Sequence, residues 1–239
     1  MASPNTDKLA VLIDAENAQA SVVGDLLREV ARYGTATIKR AYGDWTTPHL
    51  NGWKETLNSF AIQPIQQFRY TIGKNATDSA LIIDAMDLLH GGRVDGFCLV
   101  SSDSDFTRLA TRIREAGLAV YGFGEKKTPP AFVAACDKFI YTEILRAPVT
   151  KPVAIEAPQG SLKPLLIAAI RVAAREDGWA PLSVVGSLVV KSNPSFDSRN
   201  YGCDKLGELV RRQPYLKVKK VPATDGSPNS HLYVRIKET

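Results

Sequence analysis

Short apolar runs alternate with helical stripes up to residue 123, and this alternation limits the fold more than any other feature of the sequence. Residues 8–13 and 96–100 are short, mostly apolar runs, as in strands buried on both faces of a parallel sheet. Residues 77–89 instead place apolar side chains at helical spacing. Strands that alternate with helices form a parallel sheet covered on both faces, so we predict a three-layer α/β domain.

The remaining elements follow from the same periodicities. Predicted strands cover residues 8–13, 35–42, 61–67, 96–100 and 118–123, and predicted helices cover 18–33, 49–60, 77–89 and 105–116. Three further helices are predicted over 162–175, 182–191 and 203–213, followed by strands over 216–221 and 231–236. Three helices followed by a β-hairpin have the element order of a winged helix-turn-helix.

A proline-containing stretch separates the two parts. Residues 147–160 contain Pro148, Pro152 and Pro158 and end in glycine, and proline removes donors that helices and sheets need. We therefore predict a first domain over 1–147, a linker over 148–160 and a small winged-helix domain over 161–239.

Charge is divided unevenly between these parts. The chain carries a net charge of +5, with residues 1–147 at −1 and residues 148–239 at +6. A basic module beside a nearly neutral one suits a polyanionic partner such as nucleic acid. Ordinary solvated surface charge is the alternative.

The cysteines and the apolar runs bear on the compartment. Cys98, Cys136 and Cys203 are dispersed and odd in number, which argues against a disulfide framework and a structural zinc site. No apolar run approaches the roughly 18 residues of a membrane span, and the first residues lack an apolar signal core. We expect a cytoplasmic protein without a membrane partner.

Four aspartates occupy positions where a parallel sheet collects its ligands, outside the carboxyl ends of its strands. Asp14 follows the first strand, Asp103 and Asp105 follow the strand over 96–100, and Asp78 begins the helix over 77–89. Clustered carboxylates repel one another, and a hard divalent cation relieves that repulsion. Because no histidine or cysteine lies nearby in sequence, Mg²⁺ or Mn²⁺ is favoured over zinc. Alternatively, Asp14, Asp78 and Asp105 could each cap a helix N-terminus. Asp84 is a weaker candidate for the site.

Four spaced motifs carry a resemblance to a known family. VLIDAEN (residues 11–17), GKNATD (73–78), LVSSDSDF (99–106) and GFGEKKTP (122–129) occur in this order. Over residues 8–146 the sequence thereby resembles the NYN family, PIN-like nuclease domains related to LabA. The resemblance implies a PIN-like sheet, cleavage of RNA, and a divalent metal bound by Asp14, Asp78, Asp103 and Asp105, with Asn17 supporting the site. Ser102 stands where many relatives have glycine.

The tail carries a second resemblance. LLIAAIR (residues 165–171), GWAPLSVV (178–185), FDSRNYG (196–202) and KLGELV (205–210) resemble the OST-HTH domain, also called LOTUS. This resemblance implies RNA binding or docking of a protein partner rather than catalysis. Trp179 is expected to pack in the core of this domain.

Basic side chains near both sites are predicted to contact RNA phosphates. In the first domain these are Lys74, Arg40, Lys126 and Lys127, and in the second they are Lys205, Arg211, Arg212, Lys217 and Lys219. Solvated surface lysines are the alternative for Lys74, Lys126 and Lys127.

The leading hypothesis is a metal-dependent ribonuclease with a C-terminal RNA-binding module. A catalytically weak adaptor that binds RNA or docks a protein is the alternative, although a pure binder does not need the carboxylates. A winged-helix DNA-binding regulator accounts for the tail alone and leaves the aspartates unexplained.

Overall fold

The computed structural model describes residues 7–68, 76–146, 162–222 and 230–237. The chain forms two compact units, Met1–Arg146 and Ala147–Thr239. The predicted linker, residues 148–160, lies outside the described residues, and the predicted domain bounds stay a prediction.

The first unit is a six-stranded parallel sheet with helices on both faces. Its strands are β1 (Lys8–Asp14), β2 (Thr35–Gly43), β3 (Gln63–Gln66), β4 (Gly96–Val100), β5 (Ala119–Gly124) and β6 (Lys138–Tyr141). Its helices are α1 (Val23–Val30), α2 (Trp53–Ser59), α3 (Ala76–His90), α4 (Thr107–Glu115), α5 (Pro130–Ala135) and α6 (Thr142–Arg146). The strand order is β3-β2-β1-β4-β5-β6, and every neighbouring pair is parallel. The predicted three-layer α/β fold is confirmed.

Side chains of β1 alternate between two hydrophobic cores, one on each face of the sheet. Leu9, Val11 and Ile13 pack in the core beneath α1, α2 and α6. Ala10 and Leu12 pack in the core beneath α3, α4 and α5. Asp14 is the next residue in the row of Ala10 and Leu12, so strand alternation directs its side chain toward the layer that contains α3.

The second unit is a small winged helix-turn-helix, as predicted. It contains helices α7 (Leu162–Ala173), α8 (Leu182–Ser192) and α9 (Leu206–Arg211) and strands β7 (Ala180–Pro181), β8 (Leu216–Pro222) and β9 (Ser230–Ile236). The antiparallel order of its sheet is β7-β9-β8. Leu166, Val185, Val189 and Val234 are fully buried in its core. The expectation for Trp179 is wrong: this ring is only partly buried and is not a member of that core.

No helix within the described ranges is both long and apolar enough to cross a membrane.

Candidate active site

The strand order places the candidate site between β1 and β4. From β1 the chain builds outward to β2 and β3, and then returns to add β4, β5 and β6 on the other side. Ligands of open α/β sheets bind at the carboxyl ends of the strands where the order reverses in this way. Asp14 ends β1, while Asp103 and Asp105 follow β4, so these aspartates lie at the reversal point.

Three of the predicted carboxylates form a compact cluster. One carboxylate oxygen from each of Asp78, Asp103 and Asp105 lies within 4.8 Å of the others. The Asp105 N–H donates to Asp103 Oδ1 at 2.9 Å, and the Asp103 N–H donates to the Ser101 hydroxyl oxygen at 3.1 Å. The loop after β4 therefore holds Asp103 in place through hydrogen bonds. Three oxygen donors at this spacing fit a hard divalent cation such as Mg²⁺ or Mn²⁺.

Asp14 lies buried behind this cluster, with an exposed fraction of 1%. The Asn17 amide and the Ser101 hydroxyl each donate to its Oδ2 at 2.8 Å. The backbone N–H groups of Glu16 and Asn17 donate to its Oδ1 at 3.2 and 3.3 Å. Asn17, which the resemblance implies as a supporting residue, thus contacts Asp14 from the loop after β1.

Burial and repulsion favour the protonated form of Asp78 when no cation is bound. Burial, followed by repulsion from Asp14, Asp103, Asp105 and Glu16, raises the pKa of Asp78 to about 6. Burial also raises the pKa of Asp14, against the opposing effect of hydrogen bonds from Asn17 and Ser101. A cation in the cluster removes the repulsion and favours the ionised carboxylates.

Helix capping does not account for Asp14, Asp78 or Asp105, the three aspartates for which it was the alternative. Asp78 is the third residue of α3, and Asp105 lies inside the 3-10 helix Ser104–Phe106. The side chain of Asp14 forms a local turn with Glu16 and Asn17, and the following 3-10 helix has Gln19 as its N-cap. Asp103 is the residue that caps, because its carboxylate accepts from Asp105 at the start of the 3-10 helix.

Glu16 and Ser101 also belong to the site and were not predicted from the sequence. Glu16 follows β1 by two residues, its charge adds to the repulsion at Asp78, and its Oε1 accepts from the Thr77 hydroxyl at 3.4 Å. Its place after a strand was a usable signal. Ser101 directly follows β4 and has the same signal, but its partner could not be predicted, because the hydrogen bond to Asp14 joins two loops 87 residues apart.

The predicted cations of the first unit differ in their surroundings. Arg40 forms an ion pair with Asp84, and the Tyr42 hydroxyl donates to the same carboxylate, so neither Arg40 nor Asp84 is a free surface group. Lys126 and Lys127 follow β5 and are exposed, and Lys127 Nζ lies 2.8 Å from Glu125 Oε2. Lys74 lies outside the described residues.

The predicted cations of the second unit lie on its surface. Lys205 precedes α9, Arg211 ends it, and both are exposed. Arg212 is also exposed and pairs with Glu208. Lys217 and Lys219 alternate along β8 with the inward-facing Leu216 and Val218.

Replacing Asp78 with asparagine is expected to stabilise the metal-free protein at pH 7. In the folded protein the raised pKa of Asp78 means that stability falls as pH rises from about 4 to about 6. The free energy of unfolding should rise by about 1 kcal/mol. The gain is limited because solvent screens the half-buried carboxyl of Asp78, and because the N-terminus of α3 stabilises its negative charge.

Denaturant unfolding in EDTA at pH 4 and pH 7 measures this effect. The variant should gain stability at pH 7 and lose that advantage at pH 4, where Asp78 is protonated. The exposed Asp87, on the same helix, supplies the control variant Asp87→Asn. If the Asp78→Asn protein is less stable than the wild type at pH 7, the neighbouring carboxylates do not destabilise the ionised form of Asp78.

Comparisons with known proteins agree with this architecture. The NYN domain family model matches residues 8–145, and the OST-HTH/LOTUS domain model matches residues 155–227. No curated protein matches the chain.

Solved structures of bacterial proteins also match parts of the chain. A protein of unknown function from Vibrio parahaemolyticus is 19% identical over 58% of this chain and 94% of its own, with a TM-score of 0.48. A solution structure from Nitrosomonas europaea is 32% identical over 39% of this chain and 91% of its own, with a TM-score of 0.31. A solution structure from Chromobacterium violaceum is 32% identical over 37% of this chain and 90% of its own, with a TM-score of 0.28.

The NYN match spans more than half of the chain and contains every aspartate of the cluster. The chain therefore belongs to the NYN domain family of PIN-like nuclease domains and carries a C-terminal OST-HTH/LOTUS domain.

Proposed function

We propose that this protein is a divalent-metal-dependent ribonuclease whose C-terminal domain binds RNA. The observation that carries the proposal is the convergence of carboxylate oxygens from Asp78, Asp103 and Asp105 within 4.8 Å. The cluster lies at the sheet edge where α/β folds bind ligands, in a family of PIN-like nuclease domains.

Mg²⁺ or Mn²⁺ is the cofactor that this donor set fits. Asp78, Asp103 and Asp105 would hold the ion, and Asp14 would add negative charge from the buried side of the site. Because both oxygens of Asp14 already accept hydrogen bonds, we also assign it the role of positioning Asn17 and Ser101. When bound, such an ion lowers the pKa of a water nucleophile and stabilises charge on a phosphodiester oxygen.

Basic side chains would hold the RNA backbone at the acidic edge. Lys126 and Lys127 follow β5, which is parallel to β4 and next to it in the sheet. Both lysines therefore lie at the carboxyl-end edge of the sheet, as Asp103 does. Lys74 is proposed from the sequence alone. We do not assign Arg40 to this surface, because it already forms an ion pair with Asp84.

Cleavage assays with the full chain test the proposal directly. Single-stranded RNA, duplex RNA and DNA are each incubated with Mn²⁺, with Mg²⁺ and with EDTA. We expect cleavage of RNA only when a metal is supplied. Below about pH 6 a higher metal concentration should be needed for half-maximal activity, because protonation of Asp78 competes with metal binding. RNA binding without cleavage in either metal would instead support the adaptor hypothesis.

RNA binding by the full chain is expected to weaken steeply with salt. Each phosphate neutralised on a single strand contributes about −0.7 to the log–log slope, so five contacts predict about 100-fold weaker binding between 50 and 200 mM salt. Binding is measured in EDTA to prevent cleavage. The double variant Lys205→Ala/Arg211→Ala should reduce the steepness of the slope by about 1.4. Salt-independent binding would contradict a phosphate-contacting surface.

A further inference from the structure

One face of the winged-helix sheet combines aromatic rings with cations. Lys219 Nζ lies 4.2 Å from the ring centroid of Trp179 and 5.6 Å from that of Tyr233. The guanidinium carbon of Arg235 lies 5.3 Å from the Trp179 centroid, and that of Arg175 lies 5.5 Å from the Tyr233 centroid. We call these five residues the outer face.

Strand pairing explains why these side chains share a surface. Val218 pairs with Val234 across β8 and β9, and both contact the core, so their neighbours point away from it. Lys219 pairs with Tyr233 on that outward side. Trp179 directly precedes β7, whose Ala180 pairs with Val234, and this register brings the Trp179 ring beside Arg235.

The cations of the outer face are held mainly by rings rather than by carboxylates. Within the described residues, Arg175 and Arg235 form no ion pair, and Arg235 Nε has no hydrogen-bond acceptor. Lys219 has one carboxylate partner, Asp177, at 3.9 Å, and both side chains are substantially exposed. Cation–π contacts at exposed sites are weak, so Arg175 and Lys219, whose side chains are open to solvent, can exchange a ring for a phosphate at little cost. Arg235 is partly buried, and its Nε gains an acceptor if a phosphate binds there.

This chemistry matches a ligand that is both anionic and aromatic. The outer face carries three cations, and among the described residues their one carboxylate partner is Asp177, so its charge favours a polyanion. Bases in a duplex are already stacked on one another, but unpaired bases can stack on tryptophan and tyrosine.

We infer that the outer face binds single-stranded RNA, with unpaired bases stacked on Trp179 and Tyr233 and with backbone phosphates on Lys219 and Arg235. The inference rests on the proposed RNA binding by the C-terminal domain and does not depend on nuclease activity. Stacking on the outer face would make the C-terminal domain bind single-stranded RNA more tightly than duplex RNA, a preference that positive charge alone does not give.

Binding measurements on the full chain in EDTA test this inference. A short fluorescent single-stranded RNA is compared with a duplex of the same sequence. Trp179→Ala and Tyr233→Ala should each weaken single-strand binding at least about fivefold, the effect of losing one stacked base. Duplex binding should change less than about twofold, because paired bases are not available for stacking.

Two matched comparisons guard against indirect effects. Lys219→Ala should weaken binding more than Lys220→Ala, which removes the same charge from the next residue, on the other side of β8. Trp179→Phe preserves a ring, so this variant should still bind RNA but lose the RNA-induced quenching of tryptophan fluorescence that we expect for the wild type. That readout remains available if Trp179→Ala fails to fold.

The outcomes separate the two proposals. Absence of RNA binding by the wild-type chain would overturn the proposed RNA capture, and the outer face with it. RNA binding that is unchanged by Trp179→Ala, Tyr233→Ala and Lys219→Ala would overturn the outer face alone and favour a protein partner there. Equal weakening of single-strand and duplex binding would also overturn it, since phosphate contact would then suffice.

Discussion

Replacing Asp103 with asparagine is expected to lower RNA cleavage at least about 100-fold, the scale of losing one electrostatic contact to the transition state. The amide oxygen can still accept from the Asp105 N–H, so the loop after β4 should keep its conformation. The variant loses one negative charge from a cluster whose oxygens lie within 4.8 Å. RNA binding in EDTA should therefore stay unchanged while metal-supported turnover falls.

The measurement is single-turnover cleavage over a range of Mn²⁺ concentrations. Asp87→Asn is the control, since it removes a carboxylate from the surface of α3 outside the cluster. Asp14→Asn is a less clean test of the charge. Both carboxylate oxygens of Asp14 accept hydrogen bonds, and the N–H group of an asparagine would face one of these donors instead of accepting from it. If both Asp14→Asn and Asp103→Asn cleave RNA at the wild-type rate, the acidic cluster is not the active site.

The sequence predicted the elements that carry the acidic cluster because their signals are local. Gly96–Val100 is a short apolar run with turn-forming residues after it, and the structure has a strand with those same bounds. Placing Asp103 after that strand needed only the rule that parallel strands present their carboxyl ends at one edge. By contrast, Pro130–Ala135 and Lys138–Tyr141 were missed, because both lie in one mostly apolar stretch, where short helices and strands cannot be told apart by their period.

Side-chain partners distant in sequence could not be predicted. Arg40 was expected to contact phosphate, but its ion pair joins it to Asp84, 44 residues further along the chain. Trp179 was expected to be buried, since large aromatic rings usually supply core area. Its actual neighbours, Lys219 and Arg235, reach it through strand register, and register between separate segments is not encoded in any local pattern.

Removing residues 147–239 is expected to raise KM for long RNA by roughly 100-fold, the lower end of the gain that linking two binding sites gives. The physical reason is that RNA held by the C-terminal domain stays near the acidic cluster at a high effective concentration. The kcat on a short, saturating RNA should change little, because Asp14, Asp78, Asp103 and Asp105 all belong to the first unit. That unit also has its own core on each face of its sheet.

Steady-state cleavage of a series of RNA lengths distinguishes tethering from other roles of the tail. Under tethering, the truncated and full chains converge as the RNA becomes too short to reach both domains. The full-length double variant Lys205→Ala/Arg211→Ala should move KM in the same direction without removing the domain, which controls for a general effect of truncation. A collapsed kcat with an unchanged KM would mean that the tail helps to build the active site. Equal activity on every length would mean that the C-terminal domain binds a partner other than the substrate.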